Sequence, residues 1–359
     1  MTRVLHLIDR NTPADMLAQL AVLADPADEI ISVGRPPELP GGHEVRAIHE
    51  PVGSAVLCGS RIRPLVGEAS VVHVWSARAQ RSGQVAVSGG KARLLRSVPA
   101  VPRTATARSR LLRSLAREAV TVTVPTQAAR DTLTRAGFPA QRACVLPAAA
   151  ASIDDLAGRR RRTRAELGLP DDALVLVAPD AMVRAANLAC AIWAHAIMEH
   201  VLDDPSWLIM PTGGPMERAV MAFARGAGFI ERIVGPWPAD RLADALAAAD
   251  IAMFVRTDDC GSSAVAAAMT AGLPIAAFDT PDVIECAGPA ALPTEARTPR
   301  AAGQALLRLI EQPELARQLA DHARSRAGDF SPQAVKPVLA DIYDALSPGE
   351  LEGARSAQV

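Results

Sequence analysis

Two segments decide the fold of this chain: residues 207–255, WLIMPTGGPMERAVMAFARGAGFIERIVGPWPADRLADALAAADIAMFV, and residues 257–278, TDDCGSSAVAAAMTAGLPIAAF. The first predicts an apolar strand, a turn at Gly213–Pro215, a helix, a short strand, a helix with Leu242 and Leu246 on one face, and a second apolar strand. The second predicts a loop, a helix of small residues and another buried strand. Apolar strands that alternate with helices indicate a parallel sheet wound by helices on both faces.

The same alternation precedes these segments. Strands are predicted at Val4–Ile8, Glu29–Val33, Val71–Trp75, Val120–Val124, Ala143–Leu146 and Leu174–Ala178. An Ala-rich loop interrupts the pattern at Pro147–Asp155, which predicts one domain over residues 1–152 and a second over 153–330. Ser331 as N-cap and Pro332 as first helical residue predict a last helix over 331–346 that joins the first domain, before a flexible tail at 347–359.

Composition narrows the class of protein. The 359 residues suffice for two domains with full cores, and the formal net charge of −1 gives no general attraction to nucleic acid or anionic membrane. The five cysteines lack metal-ligand or redox-pair spacing, the N-terminus lacks a signal-peptide pattern, and no apolar run reaches about 18 residues. There is no nucleophile elbow, P-loop or zinc motif. These features predict a cytoplasmic protein that does not bind nucleic acid.

The order of these motifs resembles that of the GT-B glycosyltransferases, in particular the retaining enzymes of glycosyltransferase family four. The resemblance rests on Trp207–Pro215, Ile233–Gly235, Leu242–Asp250, AAMTAGLP at Ala267–Pro274, and VTVPTQAARDTLTRAG at residues 122–137. It implies an α/β GT-B fold of two doubly wound, Rossmann-like domains with a cleft between them. It also implies that the domain over 153–330 binds a nucleotide sugar, which is a substrate, without a metal or a cofactor.

Binding of such a donor needs neutralisation of its diphosphate. The helix that begins near Gly261, Ser262 and Ser263 fits this task, because small residues allow close backbone approach and a helix N-terminus favours an anion. The alternative is a plain helix cap. The resemblance further places Gly235 and Pro236 beside the base.

The resemblance also implies two glutamates eight positions apart. Aligned on AAMTAGLP, the first falls at Asp259 and the second at Ala267, whereas the loop spacing to Gly261 selects Asp258 as the first. A carboxylate at the first position can accept hydrogen bonds from sugar hydroxyls, but Ala267 cannot hold the ribose. A lost charged hydrogen bond weakens binding by about 1.5–3 kcal/mol. The alternative for both aspartates is a solvated loop.

Basic residues implied for the donor diphosphate are only partly present. Pro179 stands where the resemblance implies an arginine, and Arg184 followed by Ala185 is the nearest substitute for a Lys-Gly pair. A guanidinium can bind a phosphate bidentately. The equal alternative for Arg184 is an exposed residue in the first turn of a helix.

In the first domain, the glycine pair that the resemblance implies is replaced by Asn11, Thr12 and Pro13. Thr12 as N-cap and Pro13 as first helical residue preserve the helix start. His73 and Trp75 lie on the same side of a regular strand and are candidates, with Thr12, for the acceptor side. The alternative for His73 is a hydrogen-bonded core residue, and for Trp75 a side chain that fills the strand end.

Two stretches are strongly basic. Residues 91–117 carry eight cations, no acid, and leucines at 111, 112 and 115, which predicts a basic amphipathic helix. Such a helix can contact anionic lipid at the inner membrane face and meet a lipid-linked acceptor, but we favour a solvated helix that covers the sheet. The run Arg159–Arg164 is interpreted as a solvated helix start at the domain junction and not as a nucleic-acid patch.

These observations predict a retaining hexosyltransferase that moves sugar from a nucleoside-diphosphate donor to an unknown glycan, lipid or small-molecule acceptor. Asp259 or Asp258 orients the sugar, and Arg184 with the helix start at 261–263 neutralises the leaving diphosphate. The alternative is a catalytically degenerate GT-B domain that serves as a binding or scaffold protein, as suggested by Ala267 and Pro179.

Overall fold

The computed structural model divides the chain into two compact units. The chain passes from the first unit to the second between Ala149 and Ala150, and returns between Ser331 and Pro332. The structure describes residues 3–10, 12–39, 42–48, 54–67, 69–102, 104–116, 120–170, 172–202, 205–210, 213–237, 241–258 and 262–347.

The first unit is built on a parallel sheet. Its strands are β1 (Val4–Asp9), β2 (Glu29–Val33), β3 (Val45–Ile48), β4 (Val71–Val74), β5 (Arg93–Ser97), β6 (Thr121–Val124) and β7 (Ala143–Val145), and its first helices are α1 (Ala14–Leu23), α2 (Ala55–Val66), α3 (Ala79–Val87), α4 (Ala105–Ala116) and α5 (Gln127–Arg135). The strand order is β3-β2-β1-β4-β5-β6-β7, with parallel pairing throughout.

Both faces of this sheet are covered. Successive side chains of a strand point to opposite faces, so Leu5 and Leu7 of β1 belong to one buried cluster, while Val4 and Ile8 belong to another. Near-continuous apolar strands follow from this double burial.

The second unit repeats the plan. Its strands are β8 (Leu174–Val177), β9 (Ser206–Ile209), β10 (Ile233–Val234), β11 (Ile251–Phe254), β12 (Ile275–Phe278) and β13 (Ala291–Thr294), and its helices are α6 (Leu156–Glu166), α7 (Leu188–Glu199), α8 (Glu217–Gly226), α9 (Leu242–Ala248), α10 (Ser262–Thr270), α11 (Pro281–Ala287), α12 (Pro299–Glu311) and α13 (Pro313–Ala327). The parallel order is β10-β9-β8-β11-β12-β13. The predicted class of two doubly wound parallel sheets is confirmed.

The last helix, α14 (Pro332–Leu346), returns to the first unit and begins at Pro332 as predicted. Val335, Leu339 and Tyr343 pack into the same cluster as Val4 and Ile8. The predicted tail at 347–359 lies, apart from Ser347, outside the described residues.

Two local predictions are wrong. Helix α1 begins at Ala14, with Pro13 as its cap and without a capping side chain, because the hydroxyl of Thr12 accepts from the backbone of Asp9 instead. Residues 91–117 do not form one helix, because β5 takes Arg93–Ser97 and only α4 is helical. Strand β3 was not predicted.

The run Arg159–Arg164 is also not simply solvated. Arg160 and Arg164 both bind Asp250, and the side chain of Arg164 is only 2% exposed. Arg159 pairs with Asp244 of α9. Three arginines of the run therefore connect α6 to α9 and to the residue before β11, whereas Arg161 and Arg162 are exposed.

Candidate functional site

The second sheet has one position at which its strand order reverses. From β8 the chain winds outward through β9 to β10, and from β11 it winds the other way through β12 to β13, so the switch point lies between β8 and β11. In open parallel α/β sheets, ligands bind beyond the carboxyl ends of the strands at such a point. The residues that directly follow β8 and β11 are therefore the first place to look for a site.

A buried ion triad occupies this position. Arg256, just after β11, donates from Nη1 to Oδ1 of Asp180, which follows β8, at 2.7 Å. Its Nε and Nη2 donate to the two oxygens of Asp258 at 2.9 and 3.1 Å. Arg256 and Asp180 are buried, whereas the side chain of Asp258 is 29% exposed. We refer to Asp180, Arg256 and Asp258 as the carboxyl-end triad.

Backbone hydrogen bonds join the loops that follow three adjacent strands. The amide of Thr257 donates to the carbonyl of Ala185 at 2.9 Å, which ties the loop after β11 to the loop after β8. Met182 donates to Gly213 and accepts from Met216, which ties the loop after β8 to the loop after β9. These contacts do not depend on side chains, so the rim of the sheet is fixed by the main chain.

Gly214 is required by this close approach. A Cβ atom at this position would lie 2.7 Å from the carbonyl oxygen of Met182 and 2.9 Å from its carbonyl carbon. Both are backbone atoms that cannot move aside cheaply. The predicted glycine turn therefore has a packing role beneath the rim.

Arg184 stands on the same rim. It begins a short 3₁₀ turn over Arg184–Ala186, one residue before the carbonyl that binds Thr257. Its side chain is exposed and makes no hydrogen bond or ion pair with another described residue. Ala185 follows Arg184 and Thr257 precedes Asp258, so the backbone hydrogen bond between Ala185 and Thr257 brings these two segments of main chain together.

Helix α10 begins at Ser262, with Gly261 and Asp259 outside the described residues. Ser262 is 4% exposed, and its Oγ has no hydrogen-bond partner among the residues that the structure describes. Ser263 and Ala267 are partly exposed on the same helix. A buried hydroxyl without a partner is costly, so its presence at a helix N-terminus is consistent with a ligand that supplies the missing bond.

Gly235 and Pro236 follow β10, on the outer side of the same edge. A Cβ atom on Gly235 would lie 2.8 Å from the carbonyl oxygen of Met210, which also accepts from the amide of Trp237. The indole of Trp237 is buried, with the guanidinium of Arg241 4.4 Å from its ring centre. The backbone is thus held close to the end of β9.

In the first unit, His73 and Trp75 are buried at 0% and 1% exposure, so neither side chain is presented to a ligand in this structure. Nδ1 of His73 lies 2.7 Å from the hydroxyl of Tyr343 and Nε2 lies 2.8 Å from Oγ of Ser97. Burial, and then the charge of His6, lowers the pKa of His73 well below its ordinary value. His73 therefore occupies the hydrogen-bonded core position, and Trp75 packs against its ring at 4.3 Å between centres.

The first sheet has its own switch point, between β1 and β4. Asp9 at the end of β1 is 1% exposed and accepts from Oγ of Ser76 at 2.7 Å, while Thr12 is also buried. Ser76 in turn accepts from the amide of Ala79 at the start of α3. Here a hydroxyl that is itself held by the main chain donates to the carboxylate, whereas an arginine donates to the carboxylates of the second sheet.

Helix α4 does not present its leucines to a membrane. Leu115 is fully buried, and Leu111 and Leu112 pack against the core of the first unit. Arg110 and Arg113 are exposed, which leaves a basic face without an apolar one. No helix in the described part of the chain is long and apolar enough to cross a membrane.

The sequence patterns did not identify Asp180 or Arg256, although both lie at the switch point of the sheet, where a ligand is most expected. The signal in the sequence was a polar residue at or just after the end of an apolar strand, where the chain reaches the carboxyl edge of the sheet. Asp9 and Ser76 carry the same signal and were also missed. Among the described residues, no three His, Cys, Asp or Glu side chains are grouped as metal ligands. Metal independence stays a prediction.

Solved structures share this architecture. HepE of Anabaena in complex with UDP-glucose matches 96% of this chain and 100% of its own, with a TM-score of 0.82 and 16% identity. The chain has the GT-B fold. Sucrose-phosphate synthase from Thermosynechococcus elongatus matches 96% of this chain and 99% of its own, with a TM-score of 0.74 and 15% identity. A glycosyltransferase from Rickettsia africae matches 96% and 98%, with a TM-score of 0.76 and 12% identity.

At these identities the likeness is one of fold. No protein-family model and no curated protein matches the chain. The residues at the carboxyl edge of the second sheet therefore decide which activity is proposed for this chain.

Proposed function

We propose that this protein is a glycosyltransferase that uses a nucleoside-diphosphate sugar and moves a hexosyl group, with retention, to a glycan, lipid or small-molecule acceptor. The fold supports this proposal over nearly the whole chain, since HepE has been solved with UDP and glucose and with UDP-glucose. The observation that carries it is the convergence of Arg184, the orphaned hydroxyl of Ser262 and the carboxylate of Asp258 on one edge of the second sheet.

The groups on this edge divide the work of holding a donor. The N-terminus of α10 and the exposed guanidinium of Arg184 offer positive potential for the diphosphate. Ser262 and Ser263 can donate hydroxyl hydrogen bonds to its oxygens. In the transfer step the leaving diphosphate gains charge, so the same groups stabilise the transition state more than the bound donor.

The carboxylate at Asp258, or that of Asp259, is assigned to the sugar. A carboxylate accepts hydrogen bonds from hydroxyls and orients the ring for attack at the anomeric carbon. Gly235 and Pro236 are assigned to the base, and Thr12 with the loop after β1 to the acceptor side. Ala267 cannot accept a hydrogen bond from the ribose. We therefore expect the donor to bind about tenfold to a hundredfold more weakly than it would with a carboxylate at this position.

Calorimetric and thermal-shift titration with UDP, GDP and ADP tests the proposal. We expect one diphosphate to stabilise the protein, because a ligand that binds only the native state raises its stability. Arg184→Ala should weaken that binding by about tenfold to a hundredfold through loss of a charged hydrogen bond. Arg161→Ala is the matched control, since Arg161 is an exposed arginine on α6, and other arginines of this helix bind Asp250 at the amino end of β11.

Failure of all three diphosphates to bind at millimolar concentration would contradict the proposal and leave the scaffold alternative. Equal losses in Arg184→Ala and Arg161→Ala would show general electrostatics and no specific contact. Turnover is then measured with the sugar conjugate of the diphosphate that binds, by release of that diphosphate.

A further inference from the structure

The carboxyl-end triad fixes the carboxylate of Asp258 and occupies only some of its hydrogen-bond acceptor positions. The Nε–Nη2 edge of Arg256 meets both oxygens of Asp258, one donor to each. Each carboxylate oxygen can accept about two hydrogen bonds. The other acceptor positions of Asp258 lie on a side chain that is 29% exposed, and no other described residue donates to them.

The arginine itself is fixed from behind. Asp180 is 4% exposed and accepts from Nη1 of Arg256 at 2.7 Å, so the planar guanidinium is held along two of its edges. Because the fork is rigid, fixing the guanidinium also fixes the plane of the Asp258 carboxylate.

The triad is not needed to join the two loops. The backbone bond from Thr257 to Ala185 already ties the loop after β11 to the loop after β8. Buried ion pairs are weak contributors to stability, because desolvation of the charges offsets their attraction. A buried Asp-Arg-Asp arrangement beside an existing backbone tie is therefore better explained by what it does to Asp258.

The charge of the triad selects the part of a donor that it can face. Two aspartates and one arginine give a formal charge of −1, which disfavours a phosphate. Neutral hydroxyl groups, in contrast, are donors for the exposed acceptor positions of Asp258. The phosphate-binding groups at Arg184 and the start of α10 stand on neighbouring segments of the same edge.

We propose that Arg256 and Asp180 are positioning residues, which hold the carboxylate of Asp258 so that it accepts hydrogen bonds from sugar hydroxyls of the donor. This inference rests on the proposed function. It predicts that substitution of Arg256 weakens the binding of the donor's sugar and leaves the binding of the diphosphate unchanged.

The test compares a diphosphate with its sugar conjugate. Calorimetric dissociation constants are measured for the pairs UDP and UDP-glucose, GDP and GDP-mannose, and ADP and ADP-glucose. The sugar preference is the dissociation constant of the diphosphate divided by that of the conjugate. Asp258→Asn and Arg256→Lys should each lower this preference by about tenfold without weakening diphosphate binding, because hydrogen bonds to a charged acceptor are lost or misaligned.

Asp250→Asn is the matched control. It makes the same substitution at the other end of β11, in a second ion cluster, and should leave the sugar preference unchanged. The double variant Asp258→Asn/Arg256→Lys adds the readout that separates positioning from structure. If Arg256 acts through Asp258, the two losses in sugar preference do not add.

The outcomes separate the two proposals. Wild-type protein that binds none of the six ligands overturns the proposed function and this inference with it. Wild-type binding with an unchanged sugar preference in Asp258→Asn overturns this inference alone, as does a parallel loss for diphosphate and conjugate. Additive losses in the double variant assign Arg256 an independent role. If Arg256→Lys does not fold, Asp180→Asn, which keeps an oxygen as acceptor for Arg256, takes its place in the comparison and in the double variant.

Discussion

The two ends of β11 carry ion triads of opposite composition. At the amino end, Asp250 lies between Arg160 and Arg164, and at the carboxyl end, Arg256 lies between Asp180 and Asp258. The first is a cation-rich cluster with one acid, and the second an acid-rich cluster with one cation.

The two ends of β11 also differ in how far their charged side chains form hydrogen bonds with the main chain. At the amino end, Arg164 also donates to the carbonyls of Ala248 and Ala173, and Asp250 accepts from the amide of Val175. The carboxylates at the two ends are about equally exposed, at 30% for Asp250 and 29% for Asp258. At the carboxyl end, however, Arg184 is exposed, and the hydroxyl of Ser262 has no hydrogen-bond partner among the described residues. The amino edge uses its polar groups to hold the fold, whereas the carboxyl edge keeps some of them for a ligand.

The largest effect expected from this difference is that of Arg164→Met. The side chain is 2% exposed, and its removal leaves buried carbonyls and a carboxylate with fewer partners. We expect a loss of about 3–5 kcal/mol in the free energy of unfolding. Urea unfolding followed by tryptophan fluorescence measures it, because Trp193, Trp207 and Trp237 report on the second unit. A loss below about 1 kcal/mol would break the contrast between the two ends.

Acid should weaken the amino edge through His195. This histidine of α7 binds Ser206 at the start of β9, and burial lowers its pKa to about 4. The unfolded chain therefore binds more protons between pH 6.5 and pH 4, so stability falls as pH falls through this window, by up to about 3 kcal/mol. We expect His195→Asn to flatten the slope of unfolding free energy against pH. His73 supports a remaining slope in the first unit, and an unchanged slope would contradict the assignment to His195.

Asp250→Asn should have a smaller effect on stability. Asparagine keeps one oxygen as acceptor but leaves the two arginines with fewer bonds, which predicts a loss of about 1–3 kcal/mol in unfolding free energy. Chemical denaturation provides the value. A stability equal to that of the wild type would show that Arg160 and Arg164 are held by carbonyls alone.

Asp258→Asn should have the smallest effect on stability. Asp258 and Asp250 are almost equally exposed, at 29% and 30%, but Asp258 accepts from one arginine, whereas Asp250 accepts from two arginines and from the amide of Val175. We therefore expect a loss of about 0–1 kcal/mol, the range of partly exposed pairs. The same unfolding measurement therefore separates the two ends of β11 by one substitution type. A loss as large as that of Asp250→Asn would make the carboxyl-end triad a structural cluster.

The sequence predicts the strands well where both faces are buried. Glu29–Val33 is a strand with the predicted bounds, and β11 is the second apolar strand predicted for the segment 207–255. Strand β5 escaped prediction because Arg93 and Arg96 hide its apolar pattern. The structure places Arg96 in the interior, where it binds Gln80 and Ser114. A charged residue thus lies within a buried strand, and an apolar pattern alone does not identify such a strand.

The site is less predictable than the fold, because its partners are distant in the chain. Asp180 and Arg256 are 76 positions apart, and only the pairing of β8 with β11 brings them together. Local patterns could identify a helix start at Ser262 but not the bidentate pair at Asp258. The position of an arginine after a strand gains meaning only once the strand order is known.

The return of α14 to the first unit has a consequence for synthesis on the ribosome. Val4, Ile8 and Trp75 belong to a core face that is completed by Val335, Leu339 and Tyr343, and the only tyrosine of the chain supplies a hydrogen bond to His73 from 270 positions away. The unit made first is therefore finished last. The second unit has its whole sequence available while one face of the first still awaits α14, so the nascent chain must keep that apolar face from aggregating until α14 has been made.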